Sequence, residues 1–287
     1  MWRAICGSVR GTTHILNGKP NQDSIRSEID RAGEYGILAV ADGHGSDKCF
    51  RSDIGSRLAV GTSVEMLERI AKQSNGSNLS FIKDLIENKL PESILSIWKK
   101  RVGEHYLNAG FSKLNRDDNF ISFSKDLMET ETKLEDMYLA YGSTLLAAIV
   151  TNGYVAGIQI GDGETLIVSE DGKVECPIPK DERLFANDTT SLCSENAIAD
   201  FRFFFERLSD SPPALILLTT DGYVNSFRNE SGFLKVGTDI LEIFKKEGPD
   251  YVEANIEGWL EEASKHGSGD DITLGILFRQ EIVKGAE

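Results

Sequence analysis

The chain has 287 residues, 40% hydrophobic and 27% charged, a globular composition that excludes wholesale disorder. Its 31 Lys and Arg against 46 Asp and Glu give a formal charge of −15, a field that repels phosphate backbones and anionic lipid, so neither nucleic acid nor a membrane is an expected partner. No apolar run nears the ~20 residues of a membrane span, and the start from Met1 to Gly7 lacks the apolar stretch of a signal peptide, so a cytoplasmic protein is expected.

Up to Asp42 the chain reads as strands and turns, with Tyr35–Ala41 a short buried strand that ends at Asp42-Gly43. A helical region follows: Val60, Val64, Leu67 and Ala71 recur at helix spacing, and Phe81, Ile82, Leu85 and Ile86 do so again after a loop. Pro91 is expected to break or restart this second helix, whose pattern continues through Ile94, Ile97, Trp98 and Val102. From His105 to Met137 the sequence is polar and aperiodic, with a weak helical stretch at Leu127–Leu134. Leu145–Val150 and Tyr154–Ile160 read as a hairpin around Asn152-Gly153. Thr165–Val168 leads into a turn at Asp171-Gly172, and Cys176 to Asp200 is irregular. Phe201–Phe205 is expected to be a strand with its phenylalanines in the core, and Leu215–Thr220 a strand ending at Asp221-Gly222. Two helices, Thr238–Lys246 and Asp250–Lys265, precede a last strand at Ile272–Phe278. Strands and helices in segregated blocks predict an α+β fold: two mainly antiparallel sheets packed as a β-sandwich, with helices on both sides. Without a repeat or a flexible linker, a single domain over 1–287 is expected. Cys6, Cys49, Cys176 and Cys193 form no C-x-x-C pair and predict no disulfide framework.

The chemistry lies in where certain acids fall. Asp23 sits in Asn21-Gln22-Asp23-Ser24. Asp42, Asp162 and Asp221 each follow an apolar run, in Ala41-Asp42-Gly43-His44-Gly45, Ile160-Gly161-Asp162-Gly163 and Thr220-Asp221-Gly222. Asp270-Asp271 opens the last strand. A single Asp-Gly is first of all a turn, as at Asp171-Gly172. Several carboxylates at buried strand ends, however, need compensation, and a divalent cation supplies it. An all-oxygen donor set suits Mg²⁺ or Mn²⁺ rather than zinc. Asp42 to Ser46 is no calcium loop, because Asp47 stands where that loop needs Gly.

Taken together, Gly11-Thr12-Thr13-His14, Asn21-Gln22-Asp23-Ser24, Val40-Ala41-Asp42-Gly43-His44-Gly45, Tyr141-Gly142-Ser143-Thr144, Ile160-Gly161-Asp162-Gly163, Thr220-Asp221-Gly222 and Gly269-Asp270-Asp271-Ile272-Thr273 resemble the metal-dependent protein serine/threonine phosphatases (PPM, type 2C), most of all the compact bacterial members. The resemblance implies the same sandwich flanked by helices. It implies two Mn²⁺ or Mg²⁺ ions. Asp42, Asp221 and Asp270 would hold one; Asp42, the Gly43 carbonyl and Asp23 would hold the other; Asp162 with Asp221 would serve a weaker third. It further implies a bridging hydroxide that attacks phosphorus, with His44 as general acid on the departing Ser or Thr oxygen. A phosphoprotein substrate and an opposing Ser/Thr kinase follow as partners.

Three positions depart from the family's pattern. Gln22 stands where many members have Glu, and Asn225 where Asp often supports the third metal. Gly18 stands where an Arg often grips the substrate phosphate; Lys19 and His14, or Arg3 and Arg10, are the substitutes in reach. Residues 105–138 are expected to vary, and 176–200 correspond to a flap beside the active site, either substrate-selecting or an inert surface loop. The other readings are a catalytically weak or inactive phosphoprotein-binding module and a small-molecule phosphatase or other two-metal phosphoesterase.

Overall fold

The computed structural model describes residues 1–74, 78–109, 134–179, 189–208 and 212–282. One sheet has the order β1 (Trp2–Val9), β10 (Ile272–Arg279), β9 (Leu215–Thr219), β6 (Glu164–Val168), β7 (Val174–Glu175). The other has the order β2 (Ser24–Ile29), β3 (Tyr35–Ala41), β4 (Leu145–Thr151), β5 (Tyr154–Ile160), β8 (Arg202–Arg207). Every pair of neighbouring strands is antiparallel.

The two-residue period of β3 explains the layering. Leu38 and Val40 point between the sheets and meet Leu146, Ala148, Ile216, Leu218 and Leu277. Ile37, Ala39 and Ala41 point the other way, under Val60, Val64, Leu67, Ile94 and Trp98 of the helices. Both faces are covered, so the strand reads as a continuous apolar run. On the far side, Leu215, Leu217, Leu274 and Ile276 lie under Phe233, Ile240, Phe244, Ile256 and Leu260. The result is helix, sheet, sheet, helix, as the segregated blocks predict.

The chain also includes α1 (Thr12–Leu16), where only strands and turns are expected. Five residues are too few to hold a helix alone. Tertiary contacts fix it: Thr13 N donates to Gly269 O at 2.9 Å and Thr12 N to Ser264 Oγ at 3.2 Å. The helices over the second sheet are α2 (Ser52–Ser74), α3 (Leu79–Asp84) and α4 (Leu90–Ala109), the last two joined by a π turn at Leu85–Lys89. Pro91 restarts the helix rather than ending it. Its ring would collide with the carbonyl four residues earlier, and the widened turn relieves that clash before α4 begins. The indole of Trp98 donates to Gly55 O at 3.0 Å and ties α4 to α2.

α5 (Leu134–Ala140) precedes β4, and the weak helical stretch at 127–134 otherwise lies outside the described residues. The Asn152-Gly153 hairpin forms between Val150 and Val155, with Thr151 Oγ1 accepting from the amides of Gly153 and Tyr154. After α6 (Ala197–Asp200), β8 is a sheet edge, and its phenylalanines divide. Phe204 is buried between the sheets and Phe205 stacks on Tyr154, but Phe203 is 42% exposed, beyond the cover of the helices. After the short α7 (Asp221–Val224), α8 (Glu230–Glu247) and α9 (Pro249–His266) cover the first sheet. α8 starts two turns before the expected Thr238, because the Asn229 side chain caps the Gly232 amide at 2.9 Å.

Candidate active site

Antiparallel register carries the acids to one end of the sandwich. Ser24 pairs with Ala41 and Leu145 with Ile160, so Asp23, Asp42 and Asp162 all lie just past the same edge of the second sheet. In the first sheet Glu164 and Leu274 both pair with Thr219, which sets Asp221 and Asp270 at the corresponding edge. Gly161–Gly163 carry the chain straight from β5 into β6, and the Thr220 hydroxyl donates to Asp23 Oδ2 at 2.7 Å, so the two edges meet.

The carboxyl groups feel one another there. Burial pushes Asp42 well above the ordinary carboxylate range, and the charges of Asp23, Asp221 and Asp270 add to the shift. Burial likewise raises Asp23, with Asp271 and Asp221 contributing against the hydrogen bonds of Thr220 and Thr273. Asp221 is pushed up to about 6 by burial, then by Asp162 and Asp270, and its side chain shares a hydrogen bond with Asp42. Crowded carboxylates in a poorly solvated pocket are relieved by protons or by a cation. The donors are all oxygen, which fits a hard divalent ion.

The backbone at Asp42-Gly43-His44 continues β3 against Gly142–Thr144. Asp42 N donates to Thr144 Oγ1 at 3.0 Å, Thr144 N to Asp42 O at 2.8 Å, and His44 N to Gly142 O at 3.1 Å. Gly43 is required by close approach: a Cβ there would stand 2.6 Å from the carbonyl oxygens of both Gln22 and Ser52. A Cβ on Gly222 would stand 2.1 Å from Asp271 O. The glycines beside the acids are therefore packing requirements as well as turn residues.

Asp271 differs from its neighbour Asp270. It is 3% exposed, and its oxygens accept from Gly11 N and Gln22 N, each at 2.6 Å, and meet His14 Nδ1 at 2.8 Å. It thus ties α1 and the Asn21–Asp23 segment to the start of β10. The Asp271 hydrogen bond is also the main reason His14 is raised. His14 Nε2 lies 3.8 Å from Asp270 Oδ1, and ligand atoms of His14, Asp270 and Asp271 fall within 4.8 Å of one another. Lys19 Nζ donates to Gly45 O at 2.6 Å, next to His44, and sits 3.8 Å from Asp47. Gly18 has a φ of +69° with open space beside it, a left-handed conformation that an Arg side chain rarely adopts.

His44 is lowered by burial, partly offset by Asp162. Its Nε2 lies 2.7 Å from Ser191 Oγ, and Gly161 N donates to Thr190 Oγ1 at 2.9 Å. The described part of the 176–200 segment therefore touches both the histidine and the loop of Asp162, while 180–188 lie outside the described residues. Asn225 Nδ2 donates to Asp221 Oδ2 at 2.9 Å. The anchoring roles of Asp271, Thr144, Thr220 and Ser191 emerge only in three dimensions: Thr144, Thr220 and Asp271 belong to the family's motifs, whereas Ser191 carries no local signal.

Known proteins share this fold. The S. agalactiae serine/threonine phosphatase superposes with a TM-score of 0.59 at 16% identity, over 98% of this chain and 100% of that one. The serine/threonine phosphatase Stp1 from Staphylococcus aureus does so with a TM-score of 0.58 at 15% identity, over 98% and 96%. The catalytic domain of the serine/threonine protein phosphatase PstP, solved with two manganese ions, gives 0.56 at 16% identity, over 96% and 97%. At such identities these likenesses speak for the fold. No curated protein matches the chain. The family model for protein phosphatase 2C matches residues 10–261, and the chain belongs to that family.

Proposed function

We propose that this phosphatase hydrolyses phosphoserine and phosphothreonine in proteins in a divalent-metal-dependent reaction, in the cytoplasm and against a Ser/Thr kinase. The observation that carries the reading is the convergence of Asp23, Asp42, Asp162, Asp221 and Asp270 at one end of the sandwich, with three of them raised by burial and mutual charge. Asp42, Asp221 and Asp270 would hold one cation. Asp42, the Gly43 carbonyl and Asp23 would hold a second, and Asp162 with Asp221 a weaker third. Asn225 offers that third position a neutral amide in place of a carboxylate. Bound Mn²⁺ or Mg²⁺ supplies Lewis acidity, activating water and neutralising phosphate charge.

The chain's own groups do the rest. His44 stands beside Asp42 and gives a proton to the ester oxygen as the P–O bond breaks, since an alkoxide leaves poorly; such acid catalysis is worth about 10²–10⁴ in rate. Lys19, bonded to the Gly45 carbonyl, and His14, held by Asp271, supply the donors that orient the phosphate where Gly18 offers none. Lys provides a point charge without the fork of Arg, so phosphate affinity should be modest.

Titration of phosphopeptide turnover with Mn²⁺ and Mg²⁺ tests the reading. Turnover should require the ion and fall at least about 100-fold in Asp42→Ala and Asp221→Ala. Metal-saturated protein that hydrolyses no phosphoester would overturn it. Gly18 is the observation that favours the other reading, a phosphoprotein-binding module. Tight phosphopeptide binding without turnover would support that module, and turnover of small phosphate esters alone would support a small-molecule phosphatase.

A further inference from the structure

We infer that Ser191 is a positioning residue for His44: it holds ring nitrogen Nε2 so that the proton is delivered to the leaving oxygen from Nδ1. The inference deepens the general-acid reading of His44 and rests on it.

Ser191 is 3% exposed and its hydroxyl is surrounded by partners. It donates to Ser143 O at 3.1 Å, a carbonyl that has no proton to return. It accepts from Cys193 N at 3.4 Å. Cys193 Sγ lies 3.2 Å from the same oxygen; with the Ser191 proton on the Ser143 carbonyl, the oxygen would accept from His44 Nε2–H at 2.7 Å. Ser191 is itself fixed. Leu192 N donates to the same Ser143 carbonyl at 3.0 Å, Leu192 is fully buried, and Thr190 next to it accepts from Gly161 N at 2.9 Å. Ser143 in turn precedes Thr144, which pairs with Asp42. The hydroxyl that orients the histidine is therefore built on the same backbone that presents Asp42.

A histidine has two ring nitrogens, and the hydrogen bond at one decides what the other can do. With Nε2–H tied to Ser191, the imidazolium keeps Nδ1–H for the substrate. As water oxygen bonds to phosphorus and the P–O ester bond breaks, the electron pair stays on the seryl oxygen, which takes the Nδ1 proton, and the water's own protons leave with the phosphate. The neutral ring left behind is the Nε2–H tautomer that Ser191 accepts from. Solvent water then returns a proton to Nδ1 for the next turnover.

Two measurements test this. In the metal-free protein, ¹⁵N-labelled histidine spectra, with the His44 signal assigned from His44→Ala, should show the Nε2–H tautomer in the wild type and a mixture in Ser191→Ala. A wild-type Nδ1–H tautomer overturns the inference, and this readout needs neither metal nor turnover. In the Mn²⁺-loaded enzyme, Ser191→Ala should lower kcat/KM on a phosphoserine peptide by about 10–100-fold, as expected for a misplaced acid, yet change p-nitrophenyl phosphate by less than about 3-fold, because that leaving group needs no proton. Ser191→Thr, which keeps the hydroxyl, should restore most of the peptide activity. Equal losses on both substrates would make Ser191 a structural residue only and sink the inference. If His44→Ala retains the wild-type ratio, the general-acid reading itself fails, and the tautomer still reports on the Ser191 contact separately. Should Ser191→Ala fail to fold, the wild-type tautomer and Ser191→Thr decide.

Discussion

At neutral pH and without a cation, Asp23 is a buried carboxyl group and Asp42 and Asp221 are half-buried ones, each raised by desolvation and by the charge of its acidic neighbours. Asp221 has its pKa raised from 3.8 to about 6, so the folded state holds that proton more tightly than the unfolded state does. The associated stability is fully present below the unfolded value and is lost as pH rises to about 6. The metal-free protein should therefore melt at a higher temperature at about pH 5 than at about pH 7.5, and saturating Mn²⁺ should reverse the order. Asp221→Asn should raise the metal-free Tm at neutral pH while abolishing the rise that Mn²⁺ produces. A metal-free Tm that ignores pH across this window would show that the carboxyl groups do not repel as described. Gly43→Ala tests the same site sterically. Its Cβ would press on two carbonyl oxygens, so a loss of about 1–3 kcal/mol in stability and weaker Mn²⁺ binding by calorimetry are expected.

The site depends on elements that never touch it. α8 is started by Asn229 and packs Phe244, fully buried, against Phe278 of β10 at 4.9 Å between ring centroids. Asn229→Ala should cost about 1 kcal/mol in chemical denaturation, since it removes one cap. Phe244→Ala should cost about 3–5 kcal/mol, the range for an aromatic taken from a closed core. Both variants, once folded and metal-loaded, should keep the wild-type kcat, because neither side chain reaches the carboxylate end; a kcat change in Asn229→Ala would contradict that separation. On the opposite layer, fully buried Arg51 bonds Tyr141 OH at 2.6 Å, and that hydroxyl meets His105 at 2.8 Å. This chain of contacts ties α4 to the segment that turns into Gly142–Thr144, so helix packing is coupled to the backbone beside Asp42.

Across the whole molecule the charge of −15 acts on any phosphorylated partner, itself an anion. Long-range repulsion slows encounter with acidic peptides and favours basic ones, and salt screens it within about 8–10 Å at physiological strength. A phosphopeptide flanked by Lys and Arg should show a higher kcat/KM than one flanked by Asp and Glu, with the gap closing as salt rises from about 50 mM to about 500 mM. Equal values at low salt would show that the overall field does not reach the substrate.

Local patterns in the chain were enough to establish the α+β block order, the β3 and β9 strands, the Asn152-Gly153 hairpin and the motifs that mark the family. Hydrophobic period and turn chemistry act over a few residues and survive without a partner. They also flagged each acid singly, as the residue after an apolar run. What tertiary structure alone decided was that antiparallel register brings those runs to a common end, that Asp271 is a buried anchor while Asp270 beside it is exposed, and that Ser191 reaches His44. Asp271 and Gly11 are 260 residues apart, and Ser191 and His44 are 147 apart. Hydrogen bonds over such separations leave no periodic trace in the sequence; they exist because the packed sheets leave each buried donor and acceptor only one place to go.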